Sequence, residues 1–372
     1  MNDDIIEYGS GESEIDDLDE LNEVLPDFFS ITSYGADYPV DGLIKRLENK
    51  DIEIPTIGFT PDTEQSVVGF QRQFIWTKQQ SDKFIESLLL GLPVPGIFLV
   101  KENNNKLLVL DGQQRLRTLQ YFYKGIYRQR AFLLENVQEQ FKNKTYETLE
   151  LNTRRKLNDY TIHATIIKQD QPNDDQSSIY LLFERLNSGG TLLQPQEIRT
   201  ALYHGELADL LIELNEDENW RKLIGRKNPH FKDVELILRF LAFYFYLNSY
   251  HKPMKDFLNR YMAKNRNLKN QNREEITDLF KRTVSVIISK IGKDAFRPKS
   301  AINAAATDSI MVGVAKRMQS KLNSENLVSI KDAHSSLFLN KDYITLVSSG
   351  TADDDNVKKR FNLANEVFMK AI

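Results

Sequence analysis

The apolar positions along this chain change their spacing several times, and each change marks an element. Val40, Leu43, Ile44 and Leu47 recur at helical spacing, so a short helix is predicted ahead of the extended Ile-Glu-Ile-Pro of residues 52–55. Phe84, Ile85, Leu88 and Leu89 predict a helix from about residue 79, stopped by Gly91 and Pro93. Pro95-Gly96 then aims the chain into a strand at 97–100. Three asparagines at 103–105 supply a turn, and 106–110 return as the partner of a hairpin. That partner runs into Asp111-Gly112, after which Leu116, Leu119 and Phe122 restore helical spacing. The succession is strand, tight turn and helix start.

Downstream, residues 127–151 are polar and show no period. Residues 161–167 alternate weakly and read as a strand, with His163 a structural rather than a catalytic residue. A polar loop at 169–176 leads to a helix at 177–186, whose stripe is Ile179, Leu182, Phe183 and Leu186. Asn187-Ser188-Gly189-Gly190 ends it, and a further helix begins near Pro195 and carries Glu197, Arg199 and Tyr203. From about residue 207 the pattern is mostly helical, with segments at 207–214, 234–247, 254–261, 274–291 and 302–318. Shorter elements follow at 322–330 and 335–343, then a last helix after Asp353-Asp354-Asp355. The apolar, aromatic segment at 234–247 is expected to centre a second core.

With 372 residues the chain can bury a large core in two domains or in one domain with a helical extension. It contains no cysteine, which excludes disulfides, thiol nucleophiles and thiolate-based zinc sites, and its five histidines are scattered. No stretch approaches membrane-spanning length and the acidic start is unlike a signal peptide, so a soluble, cytoplasmic protein is expected. The net charge of −4 conceals an asymmetry: residues 1–44 hold 13 acidic side chains and no lysine or arginine. The other 328 residues carry 49 basic against 40 acidic, and residues 252–299 are the most positive part, with 13 basic and 5 acidic. That body suits a polyanion, although solvated helix faces share the composition. The acidic tail, residues 1–37 by this division, is expected to be disordered.

The chemistry concentrates in two places. At the 109–119 junction, Asp111, Gly112, Gln113, Gln114 and Arg115 crowd a helix start. Its free N–H groups, with Arg115 one turn in, suit an anion such as a phosphate. A capped helix with Arg115 paired to a carboxylate accounts for the same residues. The second place is Asn187-Ser188-Gly189-Gly190, where a phosphate could approach the backbone or a plain C-cap could join two helices. No lysine follows these glycines as a Walker loop requires. Upstream, Gln71 and Arg72 are candidates for polar work, while Trp76 either stacks on a base or closes the core.

Four segments in this order carry a resemblance: Phe70-Gln71-Arg72 with Trp76; Glu86 through Pro95; Leu110-Asp111-Gly112-Gln113-Gln114-Arg115-Leu116; and Phe183 through Gly190 with Glu197. Residues 38–205 resemble the N-terminal domain of GmrSD-type restriction proteins, a bacterial defence family related to ParB and sulfiredoxin folds. The resemblance implies a mixed α/β ParB/sulfiredoxin-like domain over 38–205, followed by a mainly α-helical domain over 206–372. It implies a nucleoside triphosphate, with Mg²⁺, handled by Asp111, Gly112, Gln113, Gln114 and Arg115, with Gln71 and Arg72 joining the site and Asn187 and Ser188 forming one wall. Arg115 and Arg72 would stabilise phosphoryl charge, and Asp111 would position water or the metal ion. Glu184 or Glu197 could add a carboxylate.

The implied action is on DNA, modified DNA included, by a nucleoside triphosphatase or nuclease-like subunit, with a protein partner or a second copy and no membrane. A nucleotide-gated DNA sensor without turnover, or a structural partner subunit, fits the same residues. Relatives that cut DNA often carry a C-terminal His-Asn-His nuclease domain. Here His334 is followed by no further histidine, so an intact domain of that kind is not expected.

Overall fold

The structure is a computed structural model, and it describes residues 15, 30–55, 76–102, 104–127, 130–171, 177–186, 194–320 and 329–371. The chain divides into two compact units, residues 27–192 and residues 193–372 with 1–26.

The first unit is built on a mixed sheet. Its strands are β1 (Ser30–Pro39), β2 (Ile52–Glu53), β3 (Ile97–Lys101), β4 (Leu107–Asp111) and β7 (Thr161–Gln171), in the order β1-β7-β3-β4-β2. The predicted hairpin is present: β3 and β4 are antiparallel, with Phe98 opposite Asp111 and Lys101 opposite Leu107. β2 runs parallel to β4 and β7 parallel to β3, while β1 lies antiparallel to β7 at the edge. A two-stranded ribbon, β5 (Ile126–Tyr127) with β6 (Arg130–Ala131), stands apart from this sheet.

Helices α1 (Val40–Glu48), α2 (Lys78–Leu89), α3 (Gln113–Lys124) and α4 (Leu151–Asp159) supply most of the remaining core, and α5 (Ser177–Leu186) follows β7. The apolar stripes read from the sequence are the buried ones: Val40, Leu43, Ile44 and Leu47 on α1, and Phe84, Ile85, Leu88 and Leu89 on α2. Thr77 opens α2 with a capping box closed by Gln80, a local reason for the helix to start there.

β1, β7 and α4 depart from the sequence expectation, each for a visible reason. Residues 30–37, assigned above to the acidic tail, belong to the sheet; β1 is exposed along most of its length and therefore shows no alternation. β7 continues to Gln171, through residues expected to be loop, because Ser30 and Ile31 pair with Gln171 and Gln169. α4 begins at Leu151, where the stretch that showed no period ends, and it buries only Leu157. Ile15, within the segment expected to be disordered, is buried and bridges Ile302.

A buried carboxylate fixes a long connection in this unit. Asp82 of α2 is fully buried and accepts from Asn136 N (3.0 Å), Asn136 Nδ2 (2.9 Å) and Glu135 N (3.2 Å), and it pairs with Lys78. One turn on, Glu86 Oε1 accepts from Gln138 N at 2.6 Å. Burial pushes the Glu86 carboxyl up, but the Lys83 and Gln138 hydrogen bonds outweigh it and hold the group below its ordinary value. The irregular run after β6 is thus organised by side chains rather than by a period of its own.

In the second unit the helices are α6 (Pro195–Leu202), α7 (Glu206–Leu214), α8 (Glu218–Ile224), α9 (Lys232–Tyr246), α10 (Met254–Asn265), α11 (Arg273–Lys290), α12 (Ala304–Gln319), α13 (Ile330–Leu339), α14 (Lys341–Ser348) and α15 (Asp354–Met369). The aromatic segment does centre a core, since α9 is buried from Lys232 through Phe243. α8 went unread because its start looks like a polar break; Asp217 caps it by accepting from Asn219 N and Trp220 N, both at 3.0 Å. Of the two short elements expected at 322–330 and 335–343, the second is instead divided between α13 and α14 at Asn340, which caps α14. Most of the first, residues 322–328, lies outside the described residues.

Charge is also buried in this core. Arg239 of α9 holds Asp308 of α12 with Nε at 3.1 Å from both carboxylate oxygens and Nη2 at 2.7 Å from Oδ2. Arg360 of α15 approaches the same oxygen at 3.6 Å. Elsewhere Arg199 of α6 donates to Glu235 at 3.1 Å and to Asn259 at 2.9 Å, joining α6, α9 and α10.

Candidate anion site at the start of α3

β4 is buried from Leu107 to Leu110 and surfaces at Asp111, whose side chain is about half exposed. Gly112 follows with φ +95°, a left-handed conformation that L side chains resist. Space forbids a side chain as well: a Cβ there would meet Ile97 Cγ2 at 2.5 Å. As the N-cap of α3, Gly112 offers no side-chain acceptor to the first-turn amides. Gln113, Gln114 and Arg115 occupy that turn, each partly buried.

Arg115 folds back against the strand it follows. Its Nη2 donates to Asp111 Oδ2 at 2.7 Å and to the Gly96 carbonyl at 2.9 Å. Its side chain keeps 14% of its exposure, and Nε is buried with no hydrogen-bond partner among the described residues. Among the described residues the turn therefore combines amides without a side-chain cap, a guanidinium held at the mouth and one N–H without a partner. Gly96 had been read only as a director of the chain into β3; its carbonyl is what anchors Arg115. The carboxylate pairing that accounted for Arg115 in the sequence is present too, and its partner is Asp111.

Gln114 has a second task. Its Oε1 accepts from Trp76 N at 3.3 Å, and Trp76 O accepts from Tyr127 Oη at 3.1 Å. The Trp76 ring meets Phe84 edge-on at 5.4 Å and packs, partly buried, against the core. Closing the core is what the ring does here. Trp76 thus brings the end of the preceding segment to α3; Gln71 and Arg72, five and four residues earlier, lie outside the described residues, as do Asn187 and Ser188.

Of the remaining acidic candidates, Glu184 lies on α5 of the first unit. Glu197 lies in the helical unit, where Oε2 accepts from Gln194 N at 2.8 Å in a capping box and meets His230 Nδ1 at 3.2 Å. Among the described residues no trio of metal-ligating side chains gathers around Asp111. His163 pairs with Asp37 at 2.8 Å across β7 and β1.

The basic run at 252–299 is partly spent inside its own unit. Arg266 donates to the His204 carbonyl at 2.6 Å, and Arg297 to the carbonyls of Leu223 and Lys293 at 2.9 and 2.7 Å. Lys255 is buried, while Arg260 and Arg282 pair within their own helices. The surface is accordingly less cationic than the sequence count.

The first unit is thus a mixed α/β domain in which strand β4, next to the β2 edge of the sheet, ends in a glycine-opened helix start, a class of site suited to anions. Comparison with protein families makes the assignment specific: residues 45–204 match the GmrSD restriction endonuclease, N-terminal domain. That part of the chain is a GmrSD-type N-terminal domain, as its motifs had indicated. No curated protein matches the chain. No helix among the described residues is long and apolar enough to cross a membrane.

Proposed function

We propose that this chain is a nucleotide-dependent subunit of a restriction-type defence system acting on DNA, with the phosphates of a nucleoside triphosphate bound at the start of α3. The observation that carries this reading is the buried Nε of Arg115, without a hydrogen-bond partner among the described residues, beside first-turn amides that no side chain of those residues caps. The family match supports the restriction-type role and the DNA target. The mixed sheet, with its helix starting at the end of β4, fits a ParB/sulfiredoxin-like plan.

In this reading the α3 amides bind phosphate oxygens, and Arg115 faces the charge that develops on them. Gln113 and Gln114 orient the ligand, with Gln114 also anchoring Trp76. Gln71, Arg72, Asn187 and Ser188 are proposed to complete the wall. Asp111 alone is a thin metal site, but its partly exposed carboxylate suits Mg²⁺ shared with nucleotide phosphates. Such an ion would supply neutralisation of phosphate charge. The ion pair of Asp111 with Arg115 favours a second reading, in which nucleotide binding gates contact with DNA and no turnover occurs.

Phosphate release separates the two. Wild type is expected to release phosphate from at least one of the four nucleoside triphosphates with Mg²⁺, and faster with duplex DNA. Arg115→Gln is expected to release it at least about tenfold more slowly, the loss of one charge-assisted hydrogen bond. Nucleotide-dependent DNA binding without release would establish the sensor. Neither activity would overturn both readings.

A further inference from the structure

We propose that the helical unit carries a second ligand site, an aromatic pocket at the junction of α9 and α10 that takes one unstacked nucleobase of a nucleic-acid strand. The pocket is a cavity of about 170 Å³ lined by Tyr246, Phe257, Arg260, Tyr261, Lys264 and Asn265, among others. An apolar cavity of roughly 150 Å³ is enough to hold a benzene ring. Phe257, Arg260, Tyr261, Lys264 and Asn265 follow one another by three or four residues or stand adjacent, so α10 presents them on one face. Tyr246 arrives from the end of α9 and meets Tyr261 edge-on, with ring centroids 5.6 Å apart.

Three features specify the ligand. The first is a ring face already used for cation binding: Lys264 Nζ sits 4.7 Å from the centre of the Tyr246 ring. A planar heteroaromatic ring would take that place by stacking, and the exposed lysine would turn outward to the neighbouring phosphate. The second is a buried acceptor. Asn265 is fully buried, its Nδ2 donates to the Tyr261 carbonyl at 3.0 Å, and its Oδ1 has no hydrogen-bond partner among the described residues. An unmatched buried carbonyl is costly, and the N–H edge of a base answers it. The third is the rim, where Lys264 is joined by Arg260, half exposed and bound to Asp256 at 2.9 Å. Lys264 is thus the principal phosphate contact.

Aromatic faces, one edge acceptor and a mobile cation describe a nucleotide within a strand better than an amphipathic helix or a lipid. The site is in the helical unit and does not depend on the nucleotide reading of α3.

The test uses the full chain, no nucleoside triphosphate, and a single-stranded oligonucleotide carrying one 2-aminopurine. Stacking on Tyr246 is expected to quench its emission on binding. Tyr246→Leu, which keeps apolar packing, is expected to weaken binding about tenfold and to abolish the change in emission. Lys264→Gln, at an exposed position, is expected to weaken binding and to flatten its salt dependence. Free nucleoside monophosphate, as competitor, distinguishes a soluble ligand from a strand: displacement of the oligonucleotide at equal concentration would overturn the strand assignment. Binding by wild type and Tyr246→Leu with equal affinity, or with no change in emission, would overturn the pocket. Phosphate release at α3 is read separately, so the loss of one site leaves the other measurable.

Discussion

Asp308→Asn is expected to lower the stability of the helical unit by about 3–5 kcal/mol, the usual cost of removing one partner from a buried ion pair. For a unit of this size the melting temperature would fall by roughly 10 °C. The substitution preserves shape and removes only charge. Asp308 is fully buried and is the carboxylate that both Arg239 and Arg360 face, so two guanidinium groups share one negative charge. Burial pulls the Arg360 pKa down to about 10, despite the opposing pull of Asp308. Arg360 also leaves Nε and Nη2 without hydrogen-bond partners among the described residues. Arg360→Met is therefore expected to cost much less than Asp308→Asn, because it removes the surplus charge and leaves the bidentate Arg239 pair in place. Urea unfolding of the two variants checks the order; an Asp308→Asn midpoint equal to wild type would show that the carboxylate carries no such weight.

The second large effect is at Gly112. Gly112→Ala meets two independent penalties, and no single adjustment removes both. The left-handed backbone at φ +95° costs an L residue about 1–2 kcal/mol. The new Cβ would stand 2.5 Å from Ile97 Cγ2, and Ile97 is itself buried at the start of β3. Forcing a methyl group into a packed core costs about 1–3 kcal/mol more. The same movement would displace the α3 amides from β4, so any ligand held by both should bind more weakly even where the protein remains folded. Denaturant unfolding together with nucleotide titration measures both consequences. A variant of wild-type stability and affinity would mean that the turn is neither strained nor functional.

The parts of this molecule that were legible in the sequence are those in which one face is buried. The stripes of α1, α2 and α5 and the β3–β4 hairpin follow directly from apolar spacing and turn residues. The DGQQR junction was legible because a strand, a glycine and a helix start meet within a few residues. What could not be read lacks that signal. β1 is solvent-exposed along most of its length, and α4 buries one leucine. The run after β6 is held by Asp82 and Glu86 from another element, a long-range arrangement without a local pattern. Within the site, Gly96 was missed as the anchor of Arg115 because its contribution is a backbone carbonyl, which no residue type announces. The pocket of the helical unit was hidden for a related reason. Tyr246 lies in the segment expected to centre a core, and only the folded α10 brings Tyr261, Lys264 and Asn265 beside it.

The 252–299 segment illustrates a limit of counting charges. Its excess of basic residues suggested a polyanion surface, yet Arg266 and Arg297 act as braces on backbone carbonyls and Lys255 is buried. A charge used to satisfy a carbonyl is not available to a phosphate in the same geometry. Lys264, set over an aromatic ring at the mouth of a cavity, is the cation of that segment whose position specifies a ligand.

The most direct test of the α3 site is calorimetric titration of wild type and Arg115→Gln with a non-hydrolysable nucleoside triphosphate analogue and Mg²⁺, near-ultraviolet circular dichroism being used to verify that the variant keeps its tertiary packing. Binding by wild type that weakens about 10- to 100-fold in Arg115→Gln, the range expected for a hydrogen bond to a charged group, is the predicted result. Equal affinity in two equally folded proteins would contradict the assignment of the phosphate site to the turn between β4 and α3.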